Sequence, residues 1–123
     1  MDSSRLDVLA GVGNFRVEID GDEVGCSAVV GLGLESREQL VTWVTLRRSA
    51  GSDPTFWSWA RKPVIRTVTV TLLDLRKEPV CRYVLREARP ERWSGPALDA
   101  LSDDVALEEL VISAEALDIE PVG

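Results

Sequence analysis

Asp99, Asp103, Asp104, Glu108 and Glu109 place five carboxylates within eleven residues near the C-terminal end of the sequence. Carboxylates so close together suit two kinds of chemistry, ligation of a hard divalent cation and paired general acid–base catalysis. The spacing opposes both. The three aspartates do not follow a recognisable calcium-loop pattern. Adjacent glutamates on a strand face opposite ways, so Glu108 and Glu109 do not converge on one substrate if this segment is extended. The chain contains no histidine, which removes the commonest general base, the Ser-His-Asp triad and most zinc sites together. No catalytic residue, metal site or cofactor is expected, and surface solvation is the default role of the three aspartates.

The remaining reactive groups are equally unpromising for catalysis. Cys26 and Cys81 are the only cysteines, and two so far apart read as small buried free thiols rather than a disulfide. Neither "GVG" at 11–13 nor "GLG" at 31–33 leads into a helix with the Lys-Ser or Lys-Thr of a phosphate loop. The net charge of −7 and the lack of a dense basic tract argue against nucleic-acid binding. The N-terminal residues lack a basic start followed by an apolar stretch, and no apolar run approaches the roughly 20 residues that cross a bilayer. The expectation is a soluble chain folded in the cytoplasm as one domain over residues 1–123, without membrane insertion.

Charge is distributed unevenly. Residues 1–36 carry seven acids and two bases, residues 37–90 five acids and eleven bases, and residues 91–123 nine acids and one base. A basic middle between acidic ends suits self-association, basic surface on one copy meeting acidic surface on the next, and it suits mutual neutralisation within one fold equally well.

The elements that must position these residues are mostly extended. "FRVEI" (15–19) alternates with period 2 and is followed by Asp-Gly, a hairpin signal, with "VGCSAVVGL" as the return strand. "QLVTWVTLRR" (39–48) reads as one strand with Leu40, Thr42, Val44 and Leu46 on one face. Asp53, Pro54, Arg61, Lys62 and Pro63 bracket a short helix over 54–62, with Phe56 and Trp59 as its core anchors. "VIRTVTVTLLD" (64–74) and "VCRYVLREARPERW" (80–93) form a second hairpin through "LRKEP". "VALEELVISAEALDI" (105–119) is ambiguous. Leu107, Leu110, Val111, Ala114 and Leu117 have helical spacing, whereas a strand would need a bulge near Glu108 and Glu109 to keep its apolar residues on one face.

"NFRVEIDGDEVG", the "GL" at 31–32, "FWSWARK", "VTVTLLD" and "RPERWSGPALDALSDDVALEELVISAEAL" occur in an order and spacing that resemble the inner-tube proteins of contractile phage tails and extracellular contractile injection systems. The resemblance covers nearly the whole chain. It implies a mainly β fold, a two-sheet antiparallel barrel of the tail-tube type with one short flanking helix, and a strand rather than a helix at 105–119. It also implies a homo-oligomeric ring of about six copies around a lumen for cargo, with other tube, sheath or baseplate-type components as partners in a tail-like particle. Members of that family have a longer projecting hairpin where this chain has only "GLESREQLVTWV" (33–44), which puts Glu35, Arg37 and Glu38 at a shortened ring-stacking edge and suits a terminal or specialised ring. A non-tube adaptor built on the same barrel is the alternative, and an enzyme is the weaker one.

Overall fold

The structure is a computed structural model that describes residue 11 and residues 13–122. The N-terminal segment read above for a leader, residues 1–10, lies outside the described residues. Among the described residues, ten strands and one helix follow in the order β1 (Phe15–Ile19), β2 (Asp22–Val24), β3 (Ala28–Val30), β4 (Leu34–Glu35), β5 (Leu40–Val41), β6 (Val44–Ser49), α1 (Thr55–Arg61), β7 (Arg66–Leu73), β8 (Pro79–Ser94), β9 (Leu107–Ser113) and β10 (Ala116–Pro121).

The fold is mainly β, with antiparallel pairing throughout, arranged as β2-β1-β7-β8-β9-β6-β3. The β1–β2 turn has positive φ at both Asp20 and Gly21, as the Asp-Gly dipeptide favours. The Asp20 carboxylate also accepts a hydrogen bond from the Thr67 amide at 2.8 Å, which ties the turn to the start of β7. Sixteen residues long, β8 joins a sheet of β1, β2, β7 and β10 to one of β3, β6 and β9: Cys81–Arg86 lie between β7 and β10, and Arg89–Ser94 pair with β9. Between the two halves Glu87 has φ +51, and beyond it Glu91 is an extra residue in the register against β9. These irregularities bend β8 from one sheet into the other, the usual effect of bulges at barrel corners.

Alternate residues of the strands turn inward. Val17, Ile19, Val44, Leu46, Val68, Val70, Leu85, Leu110 and Ile112 are buried together with Phe56 and Trp59 from α1. The helix spans Thr55–Arg61, one residue shorter at each end than its sequence signals indicate, and packs on β8 and β9. The Asp53 carboxylate accepts a hydrogen bond from the Thr55 amide at 3.0 Å, and the Trp59 indole donates to the Val64 carbonyl at 2.7 Å beyond the C-terminal end.

Three sequence readings need correction. The return strand of the first hairpin is Asp22–Val24, and Ala28–Val30 is a separate strand that pairs with β6 rather than β1. Residues 39–48 are not one strand: β5 and β6 are separated at Thr42–Trp43, so Val41, Val44 and Leu46 are buried while Leu40 and Trp43 face outward. The break is held by Thr42, whose hydroxyl donates its one hydrogen to the Gly31 carbonyl with the Gly33 carbonyl also within reach, and whose amide donates to the Gly33 carbonyl at 3.0 Å. Gly31 has φ +98, and a Cβ there would lie 2.5 Å from the Trp43 carbonyl oxygen, so only glycine fits. Residues 105–119 are extended, as the resemblance implies, but as two strands parted at Ala114–Glu115. β9 needs no bulge: its pairing with β6 runs unbroken from Ile112 to Leu107. Val105 and Leu107 are instead exposed, and Glu108 shares the inward face with Leu110 and Ile112.

Candidate assembly interface

Several ionisable residues are paired across the strands within the chain. Arg47 pairs with Glu109 at 2.7 Å across the β6–β9 ladder, and Arg86 on β8 contacts Asp118 and Glu120 on β10 at 2.5 and 3.6 Å. The most enclosed pair is Arg48 with Glu108. Arg48 Nε lies 3.4 Å from Glu108 Oε1, an electrostatic contact rather than a hydrogen bond, while the Trp93 indole donates to Glu108 Oε2 at 3.1 Å. The same arginine reaches Asp53 at 3.1 Å and lies over the Phe56 ring. It thereby joins β6, β9 and the start of the helix. Hydrogen bonds from the Thr55 hydroxyl and amide, with Arg48 alongside, hold the Asp53 carboxyl below its usual range.

Glu108 and Glu109 face opposite sides and each is engaged with a different arginine, so they form no acid–base pair. Asp99 is used locally, its carboxylate accepting from the Leu101 amide at 3.0 Å. Among the described residues no group of three or more His, Cys, Asp or Glu is placed to hold a metal ion.

Cys26 and Cys81 are free and half-buried. Burial pushes the Cys26 thiol up from its ordinary 9.0 to about 11, against the pull of Arg48. Iodoacetamide at pH 8 is therefore expected to label Cys26 at least about tenfold more slowly in the folded protein than in urea, because the thiolate is the nucleophile. Since the folded state holds the proton more tightly, the corresponding stability is complete below pH 9 and is lost as pH rises towards 11. Equal labelling rates in the two states would exclude this environment.

Besides the scattered Val30, Leu75 and Ile119, exposed apolar side chains gather in three places. The β4–β5 hairpin carries Glu35 on its first strand and Arg37 and Glu38 in the turn, all exposed, beside exposed Leu34, Leu40 and Trp43. The C-terminal end of α1 presents Trp57, with Arg61 stacked on it, followed by exposed Val64 and Ile65. The segment between β8 and β9 presents Leu98, Leu101 and Val105 to solvent. Phe56 and Trp59 lie in the core instead. Sequence reading missed the buried Arg48–Glu108 pair. The available signal was the period-2 position of Glu108 with Leu110 and Ile112.

Residues 36–118 match the family model of the T4-like virus tail tube protein gp19. The chain belongs to this tail tube family. No curated protein matches it by sequence. Among solved structures, this tail tube chain superposes on one from the PVC extracellular contractile injection system, in its sheath–tube complex in the extended state, with a TM-score of 0.86, 18% identity and 99% of each chain covered. A chain of the anti-feeding prophage cap, the AFP tube terminating cap, gives 0.83 at 13% identity, covering 93% of this chain and 92% of that one. Hcp1 from Flavobacterium johnsoniae gives 0.66 at 12% identity, covering 88% and 95% respectively. The tail tube fold is thus shared along nearly the full chain.

Proposed function

We propose that this protein is a structural subunit of the inner tube of a contractile tail-like or injection particle. It acts as a single tube-type domain, about six copies of which form a ring around a lumen through which cargo passes. The observation that carries this reading is the tail tube family match over residues 36–118, supported by the end-to-end likeness to a chain of an injection-system sheath–tube complex. The exposed carboxylates serve solvation and contact rather than catalysis. Other tube, sheath or baseplate-type components are its partners, and it is made in the cytoplasm before joining the particle.

The short β4–β5 hairpin favours a terminal or specialised ring. It consists of two-residue strands joined by four residues, and Glu35, Arg37 and Glu38 form the ring-stacking edge on it. So small an element supplies little of the roughly 1,200 Å² that a specific contact usually buries. Electron microscopy of the protein expressed alone is expected to show isolated or paired rings. Long regular tubes would remove the terminal assignment but keep the tube reading, and monomers at every concentration and at low salt would remove both.

A further inference from the structure

A cavity of about 490 Å³ opens between α1 and the β1–β2 hairpin. Its apolar floor is formed by Ile19, Val24 and Trp59, with the exposed Val64 at its edge. On the helix side its rim carries Lys62, and Arg61, next to it in sequence, lies outside the lining with its guanidinium on the Trp57 ring; neither enters an ion pair among the described residues. On the opposite side the rim is acidic, with Asp22 and Glu23.

Elsewhere in the chain is a segment of matching chemistry. Between β8 and β9, Leu101 is 95% exposed, flanked by exposed Leu98 and Val105. The segment is shaped by its own bonds. The Asp99 carboxylate accepts from the Leu101 amide, the Asp99 carbonyl accepts from the Ser102 amide at 3.0 Å, and the Ser102 hydroxyl accepts from the Asp104 amide at 3.1 Å. Asp99, Asp103 and Asp104 enter no ion pair among the described residues, unlike the strand-borne acids Glu108, Glu109, Asp118 and Glu120.

We propose that in a second copy of this chain the segment around Leu101 seats in the cavity between α1 and the β1–β2 hairpin, with its aspartates against Arg61 and Lys62. The inference rests on the ring reading above and names the contact that closes the ring. The contact is heterologous, a protruding loop on one copy entering a recess on the next, and this type of contact generates rings when its rotation closes. Burial of Leu101 supplies the attraction. The charges set the orientation: the aspartates are drawn to the helix side and repelled by Asp22 and Glu23 across the cavity.

Sedimentation velocity over a protein concentration series tests the pairing. Asp103→Lys with Asp104→Lys leaves the Asp99 turn in place and is expected to raise the concentration needed for assembly at least about tenfold, as is Arg61→Glu with Lys62→Glu. All four changes together are expected to restore assembly to near the wild-type midpoint. Leu101→Asp, at an exposed position, is expected to weaken assembly with an unchanged circular dichroism spectrum, and it serves if a charge-reversed variant does not fold. Wild-type rings with all variants assembling normally would overturn the contact and leave the ring reading intact. So would a quadruple variant no better than the doubles, or variants that keep their rings and lose only the binding of a separate tube or sheath-type component. A wild type that stays monomeric would overturn the ring reading itself.

Discussion

Replacing Phe56 with alanine is expected to lower the unfolding free energy by about 3–5 kcal/mol, the range for deleting a fully buried aromatic ring. Phe56 is the largest side chain in the structure with no measurable exposure, and its ring also carries the Arg48 guanidinium at 5.4 Å from its centroid. The seven-residue helix is too short to persist by its own hydrogen bonds. Its position depends on Phe56 and Trp59 reaching the core, so truncation leaves a void and releases the element that covers the junction of β8 and β9. Urea unfolding of the dissociated subunit measures the loss. Trp59→Phe keeps most of the buried ring and removes the hydrogen bond to the Val64 carbonyl, and is expected to cost only about 1–2 kcal/mol. A Phe56→Ala loss under about 1 kcal/mol would show that the helix is held by its flanking segments instead.

The second large effect is expected at Glu108. Both members of the Arg48–Glu108 pair are mostly enclosed, with side-chain exposures of 13% and 9%. Glu108→Ala strands the arginine with only the half-exposed Asp53, and it deprives the Trp93 indole of its acceptor. Removing one member of a buried pair typically costs about 3–5 kcal/mol, much of it the penalty of the charge left behind. Glu108→Gln retains an acceptor for Trp93 and should lose less. The combination Arg48→Met and Glu108→Leu should recover most of the stability, because it removes both desolvated charges at similar volume. A double variant as unstable as Glu108→Ala would show that the pair contributes through its link to the helix start, where Arg48 meets Asp53, rather than through the balance of buried charge.

The two truncations differ in how visible they were beforehand. Phe56 and Trp59 stand out in the sequence because they fall on one face of a segment bracketed by Asp53-Pro54 and Pro63, signals that act within a few residues. The Asp20-Gly21 hairpin and the alternation of β7 were legible for the same reason: turn geometry and strand period are local properties of the chain. The absence of histidine by itself excluded whole classes of chemistry. Segment 105–119 was not legible in this way. Its leucines have helical spacing, yet β6 and the second half of β8 leave backbone donors and acceptors that only an extended partner between them can satisfy. Tertiary pairing therefore overrides local propensity, and it turns Glu108 inward towards Arg48, which lies sixty residues earlier in the chain. The break at Thr42 likewise depends on the Gly31 and Gly33 carbonyls, on the far side of the β4–β5 hairpin. Composition and short-range periodicity determined the helix, the Asp20-Gly21 hairpin and the alternating strands, and removed histidine from the available chemistry. Only the folded chain decided which charges are paired between strands and which, at Asp99, Asp103, Asp104, Arg61 and Lys62, enter no ion pair among the described residues, because that choice depends on contacts between residues far apart in sequence.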